Sequence, residues 1–366
     1  MKIGIIGTRG IPNHHGGFEQ FAEFFSVYLA KKGHQVSVYN SSTHPYKEFF
    51  FNGVNIISCN DPESKIGTVG QFIYDLNCII DSRKRHFDII LQLGYTSSSI
   101  WYKLLPKNSI LITNMDGLEW KRTKYSKYVQ KFLKYAEKLA VKSSDYLISD
   151  SRGIQNYLYK KYNAKSKYLA YGAELFTNPK EEILKDYNVE AFKYNMLIAR
   201  LEPENNIETI LDGVVLSNND QPFLVVGKHD ANRFGSYLKD KFYDHKNIKF
   251  LGGIYNLEHL NNLRYYSDLY FHGHSVGGTN PSLLEAMSSN TLIIANDNEF
   301  NKTVLNDNAF YFKNKNDVKF FLDKMTKKEQ IQKVKSCYND IEIKYNWDII
   351  NKQYLEFLNE CKKEHN

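Results

Sequence analysis

The feature that most limits the fold of this chain is an alternation of short apolar runs with stretches of helical periodicity. The first run, KIGII, is typical of a strand buried in a parallel sheet. Apolar residues then recur at helical spacing from Phe18 to Leu29, and Gly33 follows as a helix-ending residue. Further strand-like runs are HQVSVYN, VNIISC, FDIILQL, SILITNM and YLISDS. This order predicts a doubly wound α/β sheet.

The same pattern restarts near residue 194, after a polar, turn-rich stretch that we interpret as a linker. Helical periodicity covers residues 207–217 and 257–266. The strand-like runs of this half are YNMLIAR, PFLVVG, NIKFLGG, LYFHGH and TLIIAND. We therefore predict an α/β protein with two Rossmann-like doubly wound domains that face a cleft, residues 1–172 and 173–345, followed by a C-terminal helix over 346–366. The length of 366 residues suits two domains.

Composition narrows the class of protein. No run of about 18 apolar residues is present, and the first residues lack the features of a signal peptide, so we expect a cytoplasmic protein. The four cysteines are far apart and form no CxxC pair, which argues against a zinc site or a disulfide framework. We expect no metal.

Positive charge is concentrated between residues 121 and 167, a segment that contains thirteen Lys or Arg residues and only three acids. The lysines and tyrosines of this segment recur at helical spacing. One interpretation is a solvated helix face, and another is a basic aromatic surface that rests on anionic lipid headgroups. No nucleic-acid-binding motif accompanies the charge, so we expect no nucleic-acid partner.

The segment HSVGGTNPSLLEAM predicts a helix that begins at Pro281 with Asn280 as its N-cap. We expect the amides of Ser282 and Leu283 to lack partners in the helix and, with the helix dipole, to bind an anion.

Two further features of this segment bear on a ligand. Gly277 and Gly278 allow a ligand to approach the backbone closely. Glu285 suits a pair of hydroxyls, as acids do at the ribose of nucleotide sites. The alternative is a capped core helix with Glu285 on its solvent side.

Two cationic residues follow strands of the second half. Arg200 follows YNMLIA and could clamp a diphosphate, although a surface ion pair with Glu202 or Glu204 is the alternative. Lys228 follows PFLVVG and could add charge. Because ligands bind at the carboxyl ends of strands in such sheets, these positions are expected to converge.

The first half has its own strand-end candidates. Gly16 and Gly17 precede a helix and suit a phosphate or a sugar. Asp116, Asp150 and Tyr171 follow three other strands.

These motifs together resemble retaining nucleotide-sugar glycosyltransferases of the GT-B fold, family 4, over nearly the whole chain. The resemblance is carried by HHGGFE, ARLEPENN, VVGK, FLGG and GGTNPSLLEAM. More narrowly, GTRGIP…GGFE, MDGLEW and HGHSVGGTNPSLLEAM look like the subgroup that contains bacterial β-1,4-rhamnosyltransferases of surface polysaccharide synthesis.

The resemblance implies a role for each domain. It places the acceptor on the first domain and the nucleotide sugar on the second, with the last helix crossing back to the first. Glu285 is implied to bind the ribose hydroxyls. Arg200 and the amides of Ser282 and Leu283 are implied to hold the diphosphate, and Gly16 and Gly17 to close on it.

The chain departs from the family pattern at two positions. Gly277 stands where the family has an acid that contacts the donor sugar, and Asn205 stands where it has a lysine. The missing acid suggests a 6-deoxyhexose. Lys228 or an arginine such as Arg9 is the expected substitute for the missing lysine.

The implied chemistry is sugar transfer with retention, most simply of L-rhamnose from dTDP-rhamnose to a lipid-linked saccharide at the inner face of the membrane. Asp116 or Asp150 would orient the acceptor or act as base, and Tyr171 would hold a hydroxyl or the phosphate. No protein nucleophile and no cofactor beyond the donor are expected.

Other functions stay open or are disfavoured. A UDP- or GDP-sugar is an alternative donor, and a non-catalytic nucleotide-sugar sensor is an alternative function, favoured by Gly277 and Asn205. A dinucleotide oxidoreductase is disfavoured because the first glycines stand at positions 4, 7 and 10 and no acid ends the second strand.

Overall fold

The computed structural model describes residues 1–14, 16–115, 117–122 and 125–365, which form two compact units. The first contains residues 1–120, 125–171 and 347–366, and the second contains 121–124 and 172–346. Each unit has one sheet flanked by helices, as predicted. No helix in the described ranges is long and apolar enough to cross a bilayer.

The first unit is built on an eight-stranded sheet, in which every strand pair is parallel except β3 with β4. Its spatial order is β3-β4-β2-β1-β5-β6-β7-β8. The strands are β1 (Lys2–Ile6), β2 (Gln35–Ser41), β3 (Phe50–Phe51), β4 (Val54–Cys59), β5 (Ile89–Leu93), β6 (Ile110–Asn114), β7 (Tyr146–Ser149) and β8 (Lys167–Tyr168). The strands predicted from the apolar runs of this half are confirmed.

The helices of the first unit cover its sheet. They are α1 (Gly17–Lys31), α2 (Glu63–Ile66), α3 (Val69–Ser82), α4 (Lys127–Ser143), α5 (Arg152–Tyr162) and the C-terminal helix Trp347–His365. Helix α1 ends just before Gly33, whose positive φ of 82° suits a glycine. The C-terminal helix packs on α1, where the Trp347 ring stacks on Phe24 at 4.5 Å. This aromatic contact joins the apolar faces of the two helices and buries their side chains.

The second unit has a six-stranded parallel sheet in the order β11-β10-β9-β12-β13-β14. The strands are β9 (Asn195–Ile198), β10 (Phe223–Val226), β11 (Ile248–Gly252), β12 (Tyr270–His272), β13 (Ile293–Asn296) and β14 (Phe310–Phe312). Apolar side chains of these strands form one core with the covering helices. All five strand-like runs of this half are confirmed.

The helices of the second unit follow its strands. They are α6 (Ile207–Leu216), α7 (Arg233–Lys241), α8 (Leu257–Tyr266), α9 (Pro281–Ser288), α10 (Glu299–Leu305), α11 (Lys315–Lys324) and α12 (Ile331–Asp340), so the C-terminal helix of the chain is α13. In this sheet the strand order reverses between β9 and β12, and in the first sheet between β1 and β5. Ligands of doubly wound sheets bind at such switch points.

Candidate functional site

The switch point of the second unit brings together the predicted site residues of that half. Arg200 follows β9, and the segment from His274 to Glu285 follows β12, the neighbour of β9 in the sheet. Lys228 follows β10 on the other side of β9. The order of the strands in the sheet therefore brings these predicted residues to the same edge of the second unit, as expected.

Helix α9 begins at Pro281, as predicted, and the side chain of Asn280 caps it. The amide of Ser282 donates to Asn280 Oδ1 at 2.9 Å, and the amide of Leu283 donates to the Asn280 carbonyl at 3.0 Å. The expectation that both amides lack internal partners is wrong, because the cap residue accepts from both. The helix dipole still favours an anion at the start of α9. The two amides could donate hydrogen bonds to that anion only if the Asn280 cap opened.

Glu285 is held by a partner that the sequence did not indicate. Its Oε2 accepts from Nη2 of Arg264 at 2.7 Å, and the same nitrogen donates to Ser282 Oγ at 3.1 Å. Arg264 is only 1% exposed, whereas the side chain of Glu285 is 21% exposed. Arg264 thus fixes the carboxylate from the buried side and leaves part of it accessible. Glu285 therefore forms an ion pair with Arg264. This pair excludes the alternative in which the Glu285 side chain points into solvent without a partner.

The two departures from the family pattern meet at His274. Asn205 donates from Nδ2 to the Arg200 carbonyl at 2.7 Å, so its Oδ1 faces the histidine, 2.9 Å from Nδ1. A Cβ added at Gly277 would lie 2.9 Å from Nε2 of His274. Position 277 is therefore glycine because the imidazole occupies the space that a side chain would need. Sequence reasoning missed His274.

His274 is a neutral group in this site. Burial, together with nearby guanidinium groups, lowers the pKa of His274 to about 4. The adjacent His272 is also buried, and burial lowers its pKa to about 3. At neutral pH neither imidazole replaces the positive charge of the missing lysine.

Cationic charge comes instead from two exposed side chains. Arg200 is exposed, and its guanidinium makes no ion pair with any residue in the described ranges, so the surface ion pair considered for it is not formed. Lys228 is exposed, with Nζ 5.4 Å from the Tyr255 ring. Arg9, the other expected substitute, pairs with Asp61 at 3.0 Å and with Glu63.

The predicted residues of the first unit lie at the start of α1 and after the neighbouring strands β7 and β8. Gly16 and Gly17 lie at the start of α1, as expected. Asp150 follows β7 and is buried, and Tyr171 is buried against the rings of Phe18 and Phe21. The predicted candidate Asp116 lies outside the described residues. Tyr171 would have to leave an aromatic core to contact a substrate.

A cavity of about 440 Å³ lies at the switch point of the first unit. Residues that follow β1 and β5 form its floor, and α1, α3 and α4 supply its walls. Among its lining residues are Glu19, Asp75, Tyr95, Glu119 and Phe132. These residues come from five separate segments, so no local pattern in the sequence brings them together.

One buried carboxylate beside this cavity organises the surrounding elements. Glu137 of α4 is 1% exposed and accepts hydrogen bonds from five side chains at 2.6–3.5 Å. The donors are Tyr95 OH, Trp120 Nε1, Tyr157 OH, Lys161 Nζ and Tyr162 OH. The carboxylate therefore ties α5 to the segment just before α4.

The fold defines the class of protein: two Rossmann-like parallel-sheet domains, the architecture of GT-B glycosyltransferases. Residues 179–341 match the family described as glycosyl transferases group 1. Residues 1–174 match a family described as a domain of unknown function, DUF1972. Among curated protein sequences, none matches this chain.

Solved structures of glycosyltransferases share this fold over almost the entire chain. Sucrose-phosphate synthase from Thermosynechococcus elongatus matches with a TM-score of 0.81 at 16% identity, over 98% of both chains. HepE from Anabaena, solved with UDP-glucose, matches with a TM-score of 0.75 at 13% identity, over 98% of this chain and 99% of its own. A trehalose 6-phosphate synthase from Burkholderia multivorans matches with a TM-score of 0.72 at 10% identity, over 100% of this chain and 99% of its own.

Proposed function

We propose that this protein is a glycosyltransferase that uses a nucleoside diphosphate sugar. The observation that carries the proposal is the arrangement at the β9–β12 switch point, where Arg264 anchors Glu285 and Arg200 has no ion-pair partner in the described ranges. Both features lie within the glycosyl transferases group 1 domain. A structure similar in fold, that of HepE, was solved with UDP-glucose.

Each of these groups has a place in the reaction. Glu285 would accept hydrogen bonds from the ribose hydroxyls of a UDP- or GDP-sugar, or from the single 3′-hydroxyl of the deoxyribose in a dTDP-sugar, in the orientation that Arg264 sets. Arg200 and Lys228 would balance the charge that builds on the leaving diphosphate, so that no metal or further cofactor is required. The C1–O bond to the diphosphate breaks as a bond forms between C1 and the acceptor oxygen, and the proton of the acceptor hydroxyl passes to the leaving diphosphate. We propose retention at C1, with Asp116 or Asp150 orienting the acceptor.

The donor that we propose is dTDP-rhamnose. The His274 imidazole is uncharged at neutral pH and position 277 has no acid, so neither offers a charged acceptor to the hydroxyls of the sugar. A 6-deoxyhexose suits such surroundings because it lacks one hydroxyl. UDP- and GDP-sugars are the alternatives.

The acceptor that we propose is a saccharide on a lipid carrier, reached from the membrane surface in polysaccharide synthesis. Helix α4 supports this proposal because one face is exposed, basic and aromatic while the opposite face lines the cavity of the first unit. The exposed residues are Lys127, Tyr128, Lys131, Lys134, Tyr135, Lys138 and Lys142. Lysines attract anionic headgroups, and tyrosines suit the interface between lipid and water.

A donor panel tests the enzymatic proposal. The purified protein is incubated with dTDP-rhamnose, UDP-glucose and GDP-mannose plus a lipid-linked saccharide extract, and transfer is measured by mass spectrometry. We expect transfer from dTDP-rhamnose, and loss of transfer in Glu285→Gln but not in the surface control Glu258→Gln. Nucleotide-sugar binding without transfer from any donor would support the sensor instead.

Vesicle flotation tests the membrane contact. Vesicles with anionic lipid should carry the protein upward, whereas vesicles of zwitterionic lipid should not. Replacing Lys131, Lys134 and Lys138 by Gln should abolish flotation while a matched triple change of Lys239, Lys241 and Lys246 in the second unit should not. Absence of binding to either vesicle would contradict the proposal.

A further inference from the structure

The cavity of the first unit contains one buried carboxylate that its own surroundings do not satisfy. Asp75 of α3 is 6% exposed and lines the cavity. Its Oδ2 accepts from Ser97 Oγ at 2.5 Å, and its Oδ1 accepts no hydrogen bond from any residue that the structure describes. Because Asp75 lines the cavity and this oxygen accepts no hydrogen bond from the described residues, it is able to accept one from a ligand in the cavity.

The ionisation of Asp75 agrees with this geometry. Burial raises the pKa of Asp75 to about 6, while the hydrogen bond from Ser97 opposes the rise. The group is therefore mostly ionised at neutral pH but at a cost to stability. A charge kept at such a cost is a sign of a functional role rather than of packing.

The charge of the cavity restricts what it can hold. The described lining residues include three acids, Glu19, Asp75 and Glu119, and one cation, Arg9. Arg9 is already paired with Asp61 and Glu63. Among the described lining residues the acids outnumber the cations, so this part of the cavity favours a neutral ligand over one that carries carboxylates or phosphates.

The rest of the lining is apolar and aromatic. Phe72 and Phe132 face each other with ring centroids 5.7 Å apart, and Phe18 and Leu133 continue the wall. Hydroxyl groups of Thr8, Thr96 and Ser98 also line the cavity. An apolar wall with carboxylate and hydroxyl groups opposite suits a molecule that has both C–H faces and hydroxyls.

We propose that this cavity binds an uncharged sugar residue, with Asp75 Oδ1 accepting a hydrogen bond from one of its hydroxyls. Its role as the acceptor subsite rests on the proposed function, but binding of the sugar does not. The inference restricts the acceptor's reacting end to a neutral sugar and leaves the charged carrier outside the cavity.

Saturation-transfer NMR with small sugars tests this proposal without a donor. The probes are methyl glycosides of glucose, galactose, mannose, N-acetylglucosamine and rhamnose, compared with glucuronate and glucose 6-phosphate. We expect a saturation-transfer signal from at least one neutral glycoside and none from the two anions. Absence of the signal for every neutral glycoside, or an equal signal for the anions, would overturn the proposal.

Asp75→Asn gives the residue-level test, with Asp81→Asn on the same helix as its control, because Asp81 does not line the cavity. Removing the buried charge should keep or raise the melting temperature, which separates lost binding from lost folding. We expect at least a fivefold loss of sugar affinity in Asp75→Asn and none in Asp81→Asn. Undiminished affinity in a folded Asp75→Asn would contradict the role of Asp75.

UDP and dTDP affinity, measured on the same proteins, distinguishes this inference from the proposed function. Asp75→Asn should bind the nucleotide as the wild type does. Sugar binding without nucleotide binding would refute the proposed function and leave the cavity assignment standing. Nucleotide binding without sugar binding would refute the cavity assignment and leave the proposed function standing.

Discussion

At the scale of single residues, the second unit uses buried polar groups to hold accessible ones. Arg264, almost fully buried, donates to Glu285, Ser282 and Asn261. Asn205 similarly links the Arg200 carbonyl to His274. In both cases a residue that cannot reach a ligand sets the position of one that can. Arg264 is in this sense a positioning residue for the proposed ribose contact.

Replacing Arg264 should therefore weaken nucleotide binding without any direct contact being lost. In Arg264→Gln the carboxylate of Glu285 loses its ionic partner and its fixed orientation. We expect the Kd for UDP or dTDP to rise about tenfold, which corresponds to ~1.4 kcal/mol. Isothermal titration calorimetry measures this, and Arg264→Lys should recover part of the loss.

The control for this change is Arg233→Gln, since Arg233 is an exposed arginine on α7. Melting temperatures identify any variant that binds poorly because it is unfolded. Equal nucleotide affinity in folded Arg264→Gln and in the wild type would contradict the positioning role.

His274 should make stability fall in acid. Its pKa is about 4 in the folded protein and 6.5 for a histidine in an unfolded chain, so the unfolded state binds more protons between these pH values. Stability from this group is complete above pH 6.5 and is lost as pH falls toward 4. The whole difference corresponds to roughly 3 kcal/mol.

Chemical unfolding of His274→Gln at pH 7.5, 6, 5 and 4.5 measures this contribution. The variant should lose less stability than the wild type between pH 6.5 and 4.5. Asp75 acts in the opposite direction, because its folded pKa is raised, but it is present in both proteins and cancels in the difference. Parallel pH curves would show that His274 does not titrate as described.

At the scale of elements, α4 connects three features of the first unit. One face is exposed and basic, another lines the cavity, and Glu137 lies in the interior. The helix is thus held in register by a carboxylate that binds Trp120 before the helix and Tyr157 after it. Because these partners come from separate elements, the contact stabilises their arrangement and not only the helix.

Glu137→Gln should destabilise the first unit. The amide nitrogen would replace an acceptor that faces several donors, so buried donors would be left without partners. We expect a loss of roughly 2–4 kcal/mol in the free energy of unfolding. Urea unfolding followed by tryptophan fluorescence measures this loss and reports on the surroundings of Trp120.

Glu356→Gln, on the exposed face of α13, is the matched control and should unfold at the wild-type urea concentration. A Glu137→Gln protein with the same unfolding midpoint and the same fluorescence as the wild type would show that the hydrogen bonds around Glu137 contribute little.

The elements were largely predictable because their signals are local. Apolar runs such as FDIILQL identify buried strands, and Asn280 with Pro281 marks the start of α9 to the residue. The helices that were not predicted are α2, α3, α5, α7, α10, α11 and α12. Helix α7, for example, is nine residues long and mostly polar, and the side chain of Asn232 caps it.

The candidate sites were predictable only in part, for a related reason. Arg264 and Glu285 are 21 positions apart, and Asp75 and Ser97 are 22 apart, so no local pattern reveals either pair. The spacing of glycines and charges showed where strands end. It did not show that Asn280 satisfies the α9 amides or that His274 fills the space beside Gly277.

At the scale of the whole molecule, the two units of the chain have the same architecture. Each has a parallel sheet whose strand order reverses once, and each carries polar groups at that reversal. The groups differ in kind: accessible arginine and lysine follow strands of the second unit, whereas acids and aromatic rings line the cavity of the first. We infer that the second unit binds the anionic nucleotide and the first binds the neutral sugar.

The most direct test of this division is calorimetric titration of dTDP and UDP into the wild type, Glu285→Gln, Glu258→Gln and Asp75→Asn. Nucleotide affinity should fall at least tenfold in Glu285→Gln alone and should be unchanged in the other two variants. Wild-type affinity in a folded Glu285→Gln, or loss of affinity in Asp75→Asn, would contradict the account.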